Sequence, residues 1–228
     1  MATASVRGAR QLALDLGHTE SFAREDFLSG PSNAAALTMI ERWPDWSTAI
    51  LVLAGPEGAG KSHLAAIWAA DAGARFLSGR ALREANLPAA LATGALVVED
   101  LADGEFDERS LFHLLNLARE HEAYMLLTVR SAPNGWTLSV PDLASRLRAI
   151  PVLTLDLPDE PLLRAVLVKL FGDRQLNVDE ALISYLMPRL ERSFAAVRRA
   201  VDQLDVEALR QKRPVSRALA AEVLRYPP

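Results

Sequence analysis

The sequence contains no cysteine, which excludes disulfides and thiolate chemistry and fits a cytoplasmic protein. No apolar run approaches the ~20 residues that a membrane-spanning helix needs. The N-terminal stretch MATASVRGARQLALDL has two arginines but no continuous apolar segment before Asp15, so no secretory signal is expected. Metal-ligand clusters are missing as well: His113 and His121 fall eight residues apart on one expected helix with no other ligand types in register. A Ser-His-Asp or Cys-His constellation cannot be assembled either. Strong charge of one sign is also absent. The net charge of −4 asks for neither a nucleic-acid nor an anionic-membrane partner.

What is present is a chain of 228 residues, 50% hydrophobic and 24% charged, enough for one large domain or a domain with a small satellite. Residues 189–217 hold eight Lys/Arg against four Asp/Glu, which a solvated helix face explains better than a binding surface. Residues 1–20 read as a tail with one short apolar hexapeptide. From Phe22 to Pro158, short apolar runs at 50–54, 75–77, 95–99, 124–128 and 152–155 alternate with helical stretches that start after Gly60, near Asp107 and around Pro141. That alternation predicts an α/β domain at 21–158, a five-stranded parallel sheet with helices on both faces.

Beyond Leu157-Pro158-Asp159 no further strand is expected. Leu162, Leu163, Val166, Leu167 and Leu170 fall at helical spacing, as do Phe194, Val197, Val201 and Leu204. Asp179 and Ser193 are candidate N-caps, and Pro214 followed by Ser216 opens a last short helix. A small all-α domain at 159–228 follows.

The sharpest motif is Gly55-Pro56-Glu57-Gly58-Ala59-Gly60-Lys61-Ser62, which fits GxxxxGK[ST] between an apolar strand and a helical run. Its glycines let backbone N–H groups wrap phosphates, and the following helix N-terminus adds partial positive charge. In this pattern Lys61 reaches the β- and γ-phosphates and the Ser62 hydroxyl ligates Mg²⁺. A chance glycine-rich turn is the bland alternative, disfavoured by the strand and helix around it. The run Ala95-Leu-Val-Val-Glu99-Asp100 supplies the acidic partner: one carboxylate for Mg²⁺, the next to orient water. A strand that merely ends in an acidic loop would read the same way.

On these and further residues the chain resembles the AAA+ class, and within it the Hda-type relatives of the replication initiator DnaA. Phe22-Ala-Arg-Glu-Asp-Phe27-Leu28-Ser-Gly30-Pro-Ser-Asn33 is similar to the segment that lines the adenine pocket in that family, which implies pocket roles for Phe27, Leu28 and Asn33. Ser62-His63 resembles the pair that closes the family's P-loop. Pro141-Asp-Leu-Ala-Ser-Arg146-Leu147 is similar to box VII, whose arginine is a finger acting in trans. Gln11-Leu12-Ala13-Leu14-Asp15-Leu16 fits the QLxLxL sliding-clamp peptide, with Gln11, Leu12, Leu14 and Leu16 as the docking side chains. The resemblance spans about residues 22–225 and stops short of the DNA-binding helix-turn-helix that DnaA carries.

Two positions depart from the family pattern. Arg130 stands where relatives place an acidic residue, while Thr128 keeps a hydroxyl for a sensor role; Ala195 stands where they place a lid arginine, with Arg192 and Arg198 about a turn to either side. Trp43 and Trp46 are expected to pack.

The resemblance implies a regulator that binds ADP or ATP with Mg²⁺ and docks on the sliding clamp, the beta subunit of DNA polymerase III. It would meet DNA only through that clamp and would stimulate ATP hydrolysis by DnaA, restraining replication initiation. Its own hydrolysis is expected to be weak, no membrane partner is implied, and a homo-oligomer is compatible. A DNA-associated ATPase such as a helicase loader is the alternative, and a nucleotide-gated scaffold would need only the P-loop and the tail.

Overall fold

The structure, a computed structural model, describes residues 22–224; Gln11 to Leu16 lie outside them. After a 3₁₀ turn at Arg24–Asp26 come α1 (Ala34–Glu41), β1 (Ile50–Ala54), α2 (Lys61–Ala72), β2 (Arg75–Ser78), α3 (Leu87–Ala90), β3 (Ala95–Leu101), α4 (Glu108–Glu120), β4 (Tyr124–Val129), α5 (Pro141–Ala149) and β5 (Val152–Thr154). Four helices complete the described chain: α6 (Glu160–Asp173), α7 (Glu180–Leu186), α8 (Phe194–Gln211) and α9 (Arg217–Val223).

The five strands form one sheet in the order β2-β3-β4-β1-β5, and every pairing is parallel. Strand side chains alternate between faces, which sorts the apolar residues into two cores. Val52, Leu96, Val98, Met125 and Leu127 pack with Leu111, Leu114, Leu143 and Leu147 of α4 and α5. Leu51, Leu53, Val97 and Leu126 pack with Leu37 and Ile40 of α1 and Leu64 and Trp68 of α2. Both faces are therefore covered, as near-continuous apolar strands require. Trp46, 8% exposed, stacks on Trp68 with ring centroids 5.1 Å apart, so it packs as expected.

A third core lies among the last four helices, where Leu163, Leu167 and Phe171 of α6 meet Leu182 and Leu186 of α7, Val197, Val201 and Leu204 of α8 and Leu219 of α9. Asp179 and Ser193 are N-caps as expected, and Ser216 opens the last helix. Asp107, Asp159, Asp179, Ser193 and Ser216 each accept a backbone N–H from the residue three positions on. None of the helices among the described residues is long and apolar enough to cross a membrane.

Candidate functional site

β1 sits between β4 and β5, so whatever follows its C-terminal end emerges near the middle of the sheet edge. In parallel α/β sheets that edge is where ligands bind. The loop at 55–60 leaves β1 there and runs directly into α2. A side chain at position 55 would put its Cβ 2.6 Å from the Leu155 carbonyl oxygen, so only glycine fits. Gly58 and Gly60 adopt φ of +77° and +97°, a region L-residues seldom enter, and this curls the loop ahead of the α2 N-terminus.

Lys61 opens α2 and is 9% exposed. Its ammonium donates to the carbonyls of Gly55 at 2.7 Å and Pro56 at 2.9 Å, so the lysine spans its own loop. Burial holds that ammonium below the usual lysine range; the Asp100 carboxylate opposes the shift, the Arg130 guanidinium adds to it, and Glu57 opposes it.

The acidic pair is set by an irregularity in β3. Pairing with β4 shifts between Val98 and Leu101, and Asp100 takes a φ of +54°. The Asp100 N–H then donates to the Thr128 hydroxyl oxygen at 3.0 Å. Thr128 is 1% exposed and lies behind the wall of the cavity, reaching it only through Asp100. Burial, and then the adjacent Asp100 carboxylate, push Glu99 above the ordinary carboxylate range, while a hydrogen bond from Ser62 pulls it back. Ser62, Glu99 and Asp100 are thus brought together at the head of α2.

Over this edge opens a cavity of about 430 Å³, within the range of small-ligand sites. Its charged end is formed by Glu57, Lys61, Asp100 and Arg130; Ser62, Gly58 and Gly60 complete the floor. Arg130 and Glu57 face each other at 3.2 Å. Its aromatic end is formed by Phe22, Phe27, Leu28 and His63. The His63 ring meets Phe22 and Phe27 edge-on at 5.4 and 5.1 Å, and its Nε2 lies 2.9 Å from the Ala23 carbonyl oxygen. Asn33 is not in the lining. It is 2% exposed, accepts the Gly30 N–H at 2.8 Å and donates to the Leu28 carbonyl at 3.1 Å, so it shapes the segment that carries Leu28.

The helical part closes the roof with Val166 of α6 and Phe194, Ala195 and Arg198 of α8. Phe194 donates its backbone N–H to the Gly58 carbonyl at 3.1 Å, and its ring lies over Gly60. Lys169 of α6 holds Asp26 at 2.6 Å. Of the two arginines flanking Ala195, Arg198 lines the cavity and stands over the Phe22 ring at 5.9 Å; Arg192 does not line it. Sequence reading had no means to choose between them, although the Ser193 cap fixes which turn of α8 faces the loop.

Arg146 is elsewhere. It lies in the last turn of α5, hydrogen-bonds Asn116 of α4 and stands over the Phe112 ring at 4.8 Å. A pairing with Asp142, one turn earlier on α5, is not what holds it.

These residues suit a phosphate ester with an aromatic base: inward-curled loop, helix N-terminus and lysine at one end, phenylalanines at the other. A Mg²⁺ ion in such sites takes few protein ligands besides phosphate oxygens and water. The Ser62 hydroxyl with Glu99 or Asp100 is a donor set of that kind.

No protein-family model matches the sequence, and no curated protein does. Solved structures do. Domain III of the replication initiation protein DnaA from Thermotoga maritima superposes with a TM-score of 0.73 at 18% identity, covering 95% of this chain and 98% of that one. AMPPCP-bound DnaA from Aquifex aeolicus gives 0.65 at 17% identity over 84% of this chain and 68% of that one. The RuvB Holliday junction branch migration motor from Thermotoga maritima gives 0.62 at 16% identity over 77% of this chain and 60% of that one. The chain has the fold of DnaA domain III.

Proposed function

We propose that this chain binds an adenine nucleotide with Mg²⁺ in the P-loop cavity and acts as a regulator of replication initiation. Gln11 to Leu16 dock it on the sliding clamp, and Arg146 is offered to the nucleotide of DnaA. The position of Arg146 carries this reading: it stands on α5 and does not line its own chain's cavity, as a finger meant for another chain's nucleotide would. The AMPPCP-bound DnaA structures support the choice of an adenine nucleotide. Phe27 and Leu28 form the wall for the base, with Asn33 behind them; Ser62 with Glu99 or Asp100 holds the metal, and Thr128 positions Asp100. A finger supplied in trans stabilises charge developing on a leaving phosphoryl group and is worth about 10³–10⁵-fold in rate.

The test is hydrolysis by ATP-loaded DnaA with clamp on DNA. Arg146→Ala should keep nucleotide and clamp binding but lose the stimulation, by about 10³-fold or more if the arginine carries the whole effect. A chain lacking residues 1–20 should lose clamp binding with its melting temperature unchanged. Undiminished stimulation by Arg146→Ala would remove the regulator reading. A second reading, a DNA-associated ATPase such as a helicase loader, is favoured by the likeness to the RuvB motor. Strong ATP turnover by the isolated chain would select it.

A further inference from the structure

The charged end of the cavity contains a pair with no role in the function proposed above. Arg130 follows β4 immediately, and Ala54 of β1 pairs in register with Val129, whose carbonyl accepts the Gly55 N–H at 3.2 Å. The arginine therefore emerges beside the first turn of the P-loop. Glu57 rises from that loop, and its carboxylate meets the guanidinium through one contact of 3.2 Å. Both side chains are exposed, Arg130 by 69% and Glu57 by 81%.

A single-contact pair in solvent is weak and easily exchanged. Guanidinium favours planar, two-point contact with phosphate or carboxylate oxygens, which this pair does not use. Glu57, Asp100 and Arg130 line the same cavity as Phe27 and His63, so a base against the aromatic pair would leave its outermost phosphate to those three side chains. There the two carboxylates repel an added phosphate and Arg130 attracts it. We propose that Arg130 sets the preference of this site for a nucleoside triphosphate over a diphosphate, exchanging Glu57 for the terminal phosphate while Glu57 acts as a built-in competitor.

This rests on the nucleotide-binding reading. Calorimetry with ADP and with AMPPCP, each with Mg²⁺, tests it on the full chain, Arg130→Ala, Glu57→Gln, the double variant and Lys61→Ala. Arg130→Ala should weaken AMPPCP by about tenfold or more, the size of a lost charge-assisted contact, and ADP by less than about threefold. Glu57→Gln should tighten AMPPCP about threefold, a modest gain because the pair is exposed, and the gain should vanish when Arg130 is also absent. Equal changes for the two nucleotides, or a Glu57→Gln gain that persists without Arg130, overturn the exchange. A parent that binds neither nucleotide, or Lys61→Ala binding both like the parent, overturns the nucleotide site itself. Thermal melts of the variants should match the parent, since both side chains are solvent-exposed.

Discussion

Two cavities open at opposite edges of the same sheet. One of about 430 Å³ lies past the C-terminal ends of the strands, over the P-loop. The other, of about 610 Å³, lies at their N-terminal ends, between Trp46, Leu115, Tyr124 and Ile150 with Arg119 and Arg146 beside it. The larger one has two arginines but no anion cradle. α4 and α5 end there, at Glu120 and Ala149, so their unpaired carbonyls and negative dipole ends face that edge. The arginines in their last turns offset this local field, a placement that favours cations at helix C-termini generally. At the other edge α2 begins, and its N–H groups follow a loop that glycines curl inward. The direction of the backbone, rather than volume or a count of arginines, makes one cavity fit for phosphate.

The comparison breaks most cleanly at Lys61. Lys61→Ala should weaken ADP and ATP by at least tenfold in calorimetry, since hydrogen bonds from a charged group are worth about 1.5–3 kcal/mol. Arg119→Ala, at the other cavity, should change neither affinity. Equal losses from both would mean that the two edges do not differ as their backbones indicate.

A smaller effect is expected where the loop meets the helical part. An alanine at position 58 would place its Cβ 2.6 Å from the Ser193 Cβ, at a φ of +77°. Gly58→Ala should therefore cost about 1–3 kcal/mol through strain, read as a lower melting temperature. Combining it with Ser193→Gly should remove the clash and leave only the backbone share of the cost, because glycine is a tolerable N-cap. No recovery would place the whole cost in the backbone of the loop.

The smallest expected effect is at Glu99, and it depends on pH. Its pKa is raised in the folded chain, first by burial and then by Asp100. Stability from such a group is fully present below its unfolded pKa and is lost as pH rises through the folded value. Glu99→Gln removes that loss, so the variant should melt slightly above the parent at pH 7. The difference should shrink as pH falls toward the ordinary glutamate range. A variant that melts lower at pH 7 would show that the Ser62 hydrogen bond outweighs the burial.

Much of this was legible in the residues. Period and turn signals located all five strands to within two residues at either end, and the side chains expected to cap helices at 179 and 193, and to open the last helix at 216, do so. The GxxxxGK[ST] run was readable because it has a fixed spacing in one stretch of chain, and it lies between β1 and α2 as expected. α1 was not foreseen: AAALTMIE has apolar residues on most sides and no capping hydrogen bond from Asn33, whose side chain turns back to Gly30 and Leu28. The four-residue α3 is too short to show a period. β3 was read as ending at Glu99, whereas pairing resumes at Leu101 after the irregularity, and no local signal marks such a shift. The places of Arg130 and Arg198 in the cavity lining, and the hold of Asn116 on Arg146, were hidden for a common reason. Each depends on a partner at least 30 positions away in the chain, or on which turn of a helix faces a distant loop.

The order of strands also has a consequence for how the molecule is made. Residues 55–62 contain the whole GxxxxGK[ST] motif, yet β1 takes its two neighbours from β4 and β5, which begin at Tyr124 and Val152. The Leu155 carbonyl that forbids a side chain at Gly55, and the Phe194 amide that holds the Gly58 carbonyl, come later still. Contacts this distant in sequence form slowly, because the chain between them must first be closed into a loop. On a ribosome the motif would thus emerge long before its geometry, which is complete only once the chain through Phe194 has been synthesised and packed.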